Sequence, residues 1–214
     1  MAVVGSEPQE IGVNSYEGTM GKHITIIQGH PDSSVTHYGH ALADHYAEGA
    51  TDAGHEVKRI EVARIEFPLL RTKEEFEKGL PPEPIARAQQ AVVWADHLVI
   101  LYPLWLGSMP ALLKGFLEQV FRPNFAFVYG PSGRVVKKCL GGKTARIIVT
   151  MGMPALVYRW FFFAHSLKNL ERNILSFCGI GPIKASLIGL IEGMTDKQRA
   201  AWLAKMAQLG RTGK

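Results

Sequence analysis

The sequence predicts an α/β fold built on a five-stranded parallel sheet with helices on both faces. Two observations carry that expectation. Five short β-branched or apolar runs alternate along the chain with stretches whose apolar residues recur every three or four positions, and strands joined through helices pair in parallel by right-handed crossovers. The run His97-Leu98-Val99-Ile100-Leu101-Tyr102 is apolar without alternation, the pattern of a strand covered on both faces.

Each element follows from its own residues. His23 to Gln28 is a β-branched strand that ends in Gly29-His30-Pro31-Asp32-Ser33-Ser34, a cluster of turn formers and small hydroxyls. From Thr36, the spacing of Tyr38, Leu42, Tyr46, Gly49 and Ala53 predicts a helix stopped at Gly54. His55 to Val62 alternates as a strand, and residues 63–84 form a long connection rich in charge and proline, the kind that covers or serves a site. A helix over 85–95, the strand at 97–102, and a helix over 111–121 opened by Pro110 come next. Phe125 to Gly142 reads as an irregular aromatic excursion, Thr144 to Thr150 as a strand, and Arg159 to Phe177 as a helix broken by Gly179 and Gly181. Ile183 to Leu190 is the last strand, and Thr195 to Leu209 is an amphipathic helix capped by Gly210.

A chain of 214 residues forms one sizeable core. Residues 1–22 read as a flexible extension, with Met20 a candidate start, and 23–214 as the domain. The formal charge is +5, and the Lys and Arg residues behind it are dispersed and accompanied by 19 acidic residues, which favours a solvated surface with some attraction for anionic ligands over a nucleic-acid face. Cys139 and Cys178 offer neither a disulfide framework nor metal-ligand spacing, and His37, His40 and His45 lack a cysteine partner, so no metal is expected. The first 22 residues lack a secretory pattern, and a reducing cytoplasmic setting is the expectation. The apolar stretch from Ala155 to Ala164 is interrupted by Arg159 and is too short to cross a bilayer.

In an open parallel sheet, ligands bind beyond the carboxyl ends of the strands. The loop 29–37 opens a helix and carries His30, Ser33, Ser34, Thr36 and His37, a set suited either to a phosphate or to plain helix capping. It is neither a Walker loop nor a Gly-x-Gly-x-x-Gly turn. Pro103, Leu104, Trp105 and Leu106 leave the third strand, where large apolar groups need a flat ligand, a neighbouring loop or a second subunit to cover them. Thr150, Met151 and Gly152 face the same space, with Gly152 allowing close backbone approach.

The ordered pieces Gly29-His30-Pro31, Tyr102-Pro103-Leu104-Trp105, Pro110-Ala111-Leu112-Leu113-Lys114-Gly115, Phe125-Ala126-Phe127 and Phe177-Cys178-Gly179 carry a resemblance. From about His23 to about Leu209 the chain resembles the NAD(P)H:quinone oxidoreductase family, DT-diaphorase-like flavoproteins of flavodoxin-like fold. The resemblance implies a flavin-dependent reductase that takes a hydride from NAD(P)H and returns it to a quinone-like acceptor by ping-pong kinetics. It implies FAD or FMN, with His30, Ser33, Ser34, Thr36 and His37 toward the phosphate, Pro103 to Leu106 along the ring, and Thr150, Met151 and Gly152 at the pyrimidine end. Arg199 matches an arginine near the adenine end of FAD. Tyr158 matches the active-site tyrosine, and His165, displaced by one position, is the candidate for its histidine. Phe127 and Tyr129 match aromatics contributed by a second subunit, so a homodimer is implied.

Val35-Thr36-His37 replaces the family's frequent Ser-Phe-Asn, Met151 and Met153 replace smaller residues, and Phe127 replaces a tyrosine. These departures bear on the phosphate contacts, the pocket shape and the acceptor. Two alternatives remain open: a flavin-binding ancillary subunit of a cation-efflux system, docking through Trp160 to Phe163 on a membrane protein, and an electron shuttle.

Overall fold

Successive residues of the central strand enter different cores. Leu98, Ile100 and Tyr102 belong to one hydrophobic cluster and Val99 and Leu101 to another, because side chains of a strand alternate between the faces of its sheet. The computed structural model describes residues 21–214; most of the extension expected over 1–22 therefore lies outside the described residues. Its elements are β1 (His23–Gln28), α1 (Tyr38–Asp52), β2 (Glu56–Glu61), α2 (Lys73–Lys78), α3 (Glu83–Trp94), β3 (His97–Pro103) and α4 (Ala111–Val120). The second half adds β4 (Phe127–Tyr129), β5 (Val135–Lys138), β6 (Thr144–Thr150), α5 (Ala155–Trp160), α6 (His165–Lys168), α7 (Ser176–Cys178), β7 (Ile183–Ile188) and α8 (Asp196–Arg211).

The main sheet has five strands, all parallel, in the order β2-β1-β3-β6-β7. Helices α3 and α4 cover one face and α1 and α8 the other. The strand order reverses direction between β1 and β3, which places the switch point beside the loops that follow those two strands.

Four details differ from the sequence reading. The long connection contains α2, whose amphipathic signal is weak because none of its residues is buried. It is held from outside: the buried Arg122 donates to the carbonyls of Glu75 at 3.1 Å and Gly79 at 2.7 Å. The excursion at 125–142 is a small antiparallel hairpin, β4 with β5. The helix expected over 159–177 begins earlier, at Ala155, and is interrupted where Phe163 and Ala164 adopt left-handed φ values of 52° and 49°. Beyond α6 it winds as a π-helix over Asn169–Leu175.

Gly210, expected as a cap, instead lies inside α8. A Cβ there would stand 2.1 Å from the Tyr46 carbonyl oxygen, and one on Gly49 would stand 2.1 Å from that of Ala207. The two glycines let α1 and α8 touch backbone to backbone.

Candidate active site

The loops after β1, β3 and β6 meet at the switch point. His30 forms an edge contact with Trp105, ring centroids 6.1 Å apart, and the N–H of Leu104 donates to the Thr150 carbonyl at 2.7 Å. Phosphate-side, ring-side and pyrimidine-side candidates are thus brought to one end of the sheet.

On the β1 side, the organising group is one the sequence reading passed over. The Asp32 carboxylate accepts from the Ser34 N–H at 2.8 Å and its hydroxyl at 2.6 Å, and lies 2.8 Å from His37 Nε2. These bonds, the Ser34 hydroxyl first, hold the Asp32 carboxyl well below the usual carboxylate range. Ser34 and His37 therefore spend polar capacity inside the loop, while Ser33 and Thr36 remain exposed. The signal was present as Asp32 two residues before Ser34, the spacing of an Asx turn. The His30 ring stacks on that of His37 at 3.8 Å, and His40 tilts against both at 5.5 and 5.6 Å. His37 and His40 share one side of α1, and among the described residues no group of side chains suited to a metal ion is formed.

Beneath this loop lies Gln28, the last residue of β1. Both polar atoms of its amide are buried without a hydrogen-bond partner, and Nε2 is 3.9 Å from where a Cβ on Gly39 would sit. A buried amide left unpaired is costly and marks a site where polar satisfaction is incomplete. Arg199 stands over the Tyr38 ring at 5.0 Å, and its Nη2 donates to the Ile191 carbonyl at 2.6 Å. It thereby joins α8 to the first turn of α1, next to the loop.

On the β3 side, Trp105 and Ser108 exchange backbone hydrogen bonds of 2.8 and 2.9 Å around a tight turn. Its two central residues, Leu106 and Gly107, have φ of 47° and 76°, the signature of a type I′ turn. Glycine suits such a position, but leucine is strained there. Leu106 is fully exposed and Trp105 half exposed, so the turn presents a strained apolar platform. Pro103 is buried and Leu104 half-buried behind it. The N–H groups of Leu104 and Trp105 are spent on protein carbonyls, so a backbone donor to a ring edge has to come from Leu106 or Gly107.

At the end of β6, Thr150 and the following Met151 are buried and Gly152 is exposed, a Cβ on it meeting nothing nearer than Glu192 Oε1 at 3.8 Å. The open backbone at Gly152, the apolar turn and the polar α1 terminus fit a molecule with a planar ring and a phosphate arm, and the residues of the site are compatible with a flavin.

The two catalytic candidates are placed differently from each other. Tyr158 is buried and its hydroxyl oxygen accepts from the Leu167 N–H at 3.1 Å; burial raises its phenol above the ordinary tyrosine value. His165 is exposed and lies against Phe163 with centroids 5.9 Å apart. Phe127 is buried in its own chain, edge-on to Phe177 at 4.8 Å and to Tyr129 at 5.1 Å, and Tyr129 is exposed.

The chain matches the family model described as flavodoxin-like fold over residues 22–209. It is 30% identical over 189 residues to an uncharacterised NAD(P)H oxidoreductase of Haemophilus influenzae, covering 86% of this chain and 91% of that one. Among solved structures, an NAD(P)H:quinone oxidoreductase from Methanothermobacter marburgensis superposes with a TM-score of 0.74 at 23% identity, over 91% of this chain and 100% of that one. An FMN-dependent NADH-azoreductase from Bacillus anthracis, in complex with FMN, gives 0.67 at 17% identity, over 91% and 100%. The two structural likenesses establish the fold. The chain belongs to the flavodoxin-like fold family, and the Haemophilus influenzae NAD(P)H oxidoreductase is its relative.

Proposed function

We propose that the protein is a flavin-dependent reductase that oxidises NAD(P)H and passes the hydride to quinone-like acceptors. One observation carries the reading: at the β1/β3 switch point a polar helix terminus and an exposed apolar turn face one another, with His30 touching Trp105. That pairing matches a phosphate arm and a flat ring. Bound flavin would supply the two-electron carrier. The overall exchange balances as NAD(P)H, one proton and a quinone giving NAD(P)⁺ and a hydroquinone.

In this account His30 and the first turn of α1 hold the phosphate, and Trp105 and Leu106 stack on the ring and exclude water from it. Gly152 leaves its far edge open; the support for FAD over FMN is the match of Arg199 to an arginine near the adenine end, its Nη2 being held by the Ile191 carbonyl. His165, being exposed, is the side chain proposed to meet the acceptor. Tyr158, whose hydroxyl ties α5 to Leu167, acts as a positioning residue. Exposed Tyr129 is proposed to reach the site of a second copy, in a homodimer covering the aromatic surface around Trp160 and Phe161.

Steady-state kinetics test the reading. With flavin-loaded protein, NAD(P)H oxidation should require an added quinone, and varying both substrates should give the parallel double-reciprocal lines of a ping-pong scheme. Intersecting lines would refute the shared site, and absence of quinone-dependent oxidation would refute the assignment.

A further inference from the structure

His30 has both a hydrogen-bond donor and an acceptor within reach of one ring nitrogen. The residue is only 9% exposed, yet its Nδ1 lies 3.1 Å from the Asp32 N–H nitrogen and 3.1 Å from the Asp32 carbonyl oxygen. A neutral ring accepts from that N–H, and a charged ring donates to that carbonyl. Either state gives Nδ1 a partner, the Asp32 N–H being released when the ring is charged, so the ring nitrogen itself is satisfied before and after taking up a proton. In both states Nε2 can carry the hydrogen that a ligand oxygen accepts.

Resting on the flavin reading above, we propose that His30 is a proton-coupled phosphate ligand, taking one proton from solvent as the flavin phosphate enters the loop before α1. No bond to carbon or phosphorus changes; the proton adds to Nδ1 and departs when the phosphate leaves.

The surroundings single out this ring. His40 Nδ1 accepts from the His37 N–H at 3.0 Å, a bond that protonation at that nitrogen would break, so His40 serves the helix terminus best as a neutral acceptor. His37 is engaged with Asp32 through Nε2. The charged or titratable groups around the cluster are Asp32, His37 and His40 beside His30, with Glu61, Asp44 and Arg59 facing His40 from β2 and α1. Burial first, and the neighbouring His37 next, lower His30 below the ordinary histidine value, so the free protein holds it neutral at neutral pH. An approaching phosphate reverses the sign of the local field and favours the charged form. Beneath it, the unpartnered Gln28 amide is a second indication that the polar complement of this pocket is unfinished in the protein alone.

Titration calorimetry at neutral pH, in two buffers of different ionisation enthalpy, reads the proton directly. FMN and FAD should each bind with uptake of about one proton, and riboflavin, which has the ring but no phosphate, with none. The diphosphate of FAD has no ionisation near neutral pH, so uptake on binding FAD belongs to the protein rather than to the phosphate. The dissociation constant for FMN should weaken with rising pH, by up to tenfold per pH unit between the pKa of His30 in the free protein and its raised value in the complex, and level off above the latter. His30→Asn, which keeps an acceptor for the Asp32 N–H but cannot be charged, should bind with no uptake and a flat pH profile. Equal heats in both buffers for wild-type protein, or uptake that persists in His30→Asn, would overturn the assignment while leaving the reductase reading intact. Failure of every flavin to bind would remove the flavin reading itself and this inference with it.

Discussion

Leu106 shows how a single backbone angle separates stability from function. Its left-handed φ of 47° costs a non-glycine residue about 1–3 kcal/mol, and its side chain is fully exposed, so packing in the free chain does not repay the strain. Leu106→Gly should therefore raise the unfolding free energy by about 1 kcal/mol in urea denaturation, after the entropy glycine adds to the unfolded chain. The same change should weaken flavin binding severalfold by removing half of the apolar platform. A variant that loses stability would show that Leu106 serves the fold. Tyr158 makes the converse case. Tyr158→Phe should cost about 1–2 kcal/mol, because the Leu167 N–H loses its acceptor. If the quinone-reduction rate falls by a hundredfold at unchanged stability, Tyr158 touches the chemistry and the positioning role is wrong. At this scale the sequence revealed the residue types of the site but not their partners. His30, Ser34 and Trp105 stand out as loop residues, whereas the capture of Ser34 by Asp32 and the stacking of His30 on His37 arise from the loop's path.

Elements were legible where the apolar period was strong and local. The buried runs of β1, β3 and β6 and the spacing of α1 are visible along the chain because each satisfies its own pattern. What was hidden depends on distant groups. Helix α2 is held by Arg122, 43 and 47 positions from the carbonyls it binds. The break at Phe163 and Ala164 is a conformational choice that helical spacing does not encode. Gly210 misled because a glycine near a helix end reads as a cap, while here it admits the α1 backbone. Gly49→Ala should accordingly destabilise the protein by about 3 kcal/mol, since its methyl would collide with the Ala207 carbonyl and force α1 from α8. Thermal unfolding measures this directly; a change within 0.5 kcal/mol, roughly that of an ordinary surface substitution, would mean the helices yield without cost.

For the molecule as a whole, acid stability should be governed in part by His97, at the end of the sheet opposite the site. Its residue is 3% exposed, and burial first, then nearby cations led by Lys22, lower it to about 4. The unfolded chain binds this proton near 6.5, so between those values the unfolded state holds more protons and stability falls as pH falls. The loss should approach about 3 kcal/mol at full protonation of the folded state, and His97→Gln should flatten that limb of a pH series of denaturation curves. Assembly is decided at the same scale. Trp160 and Phe161 are 71% and 74% exposed, the surface covered in the proposed homodimer; on that proposal the wild-type protein should sediment as a dimer, and Trp160→Ser with Phe161→Ser should shift it toward monomer.

Among the described residues no helix is long and apolar enough to cross a membrane, and the paired loops at β1 and β3 are the feature around which the functional reading turns. The visible absorption spectrum of the flavin-reconstituted protein tests it most directly. Flavin bands should bleach on anaerobic addition of NADPH or NADH and return on addition of a quinone. Protein that retains no flavin, or holds flavin that neither nucleotide reduces, would contradict the account.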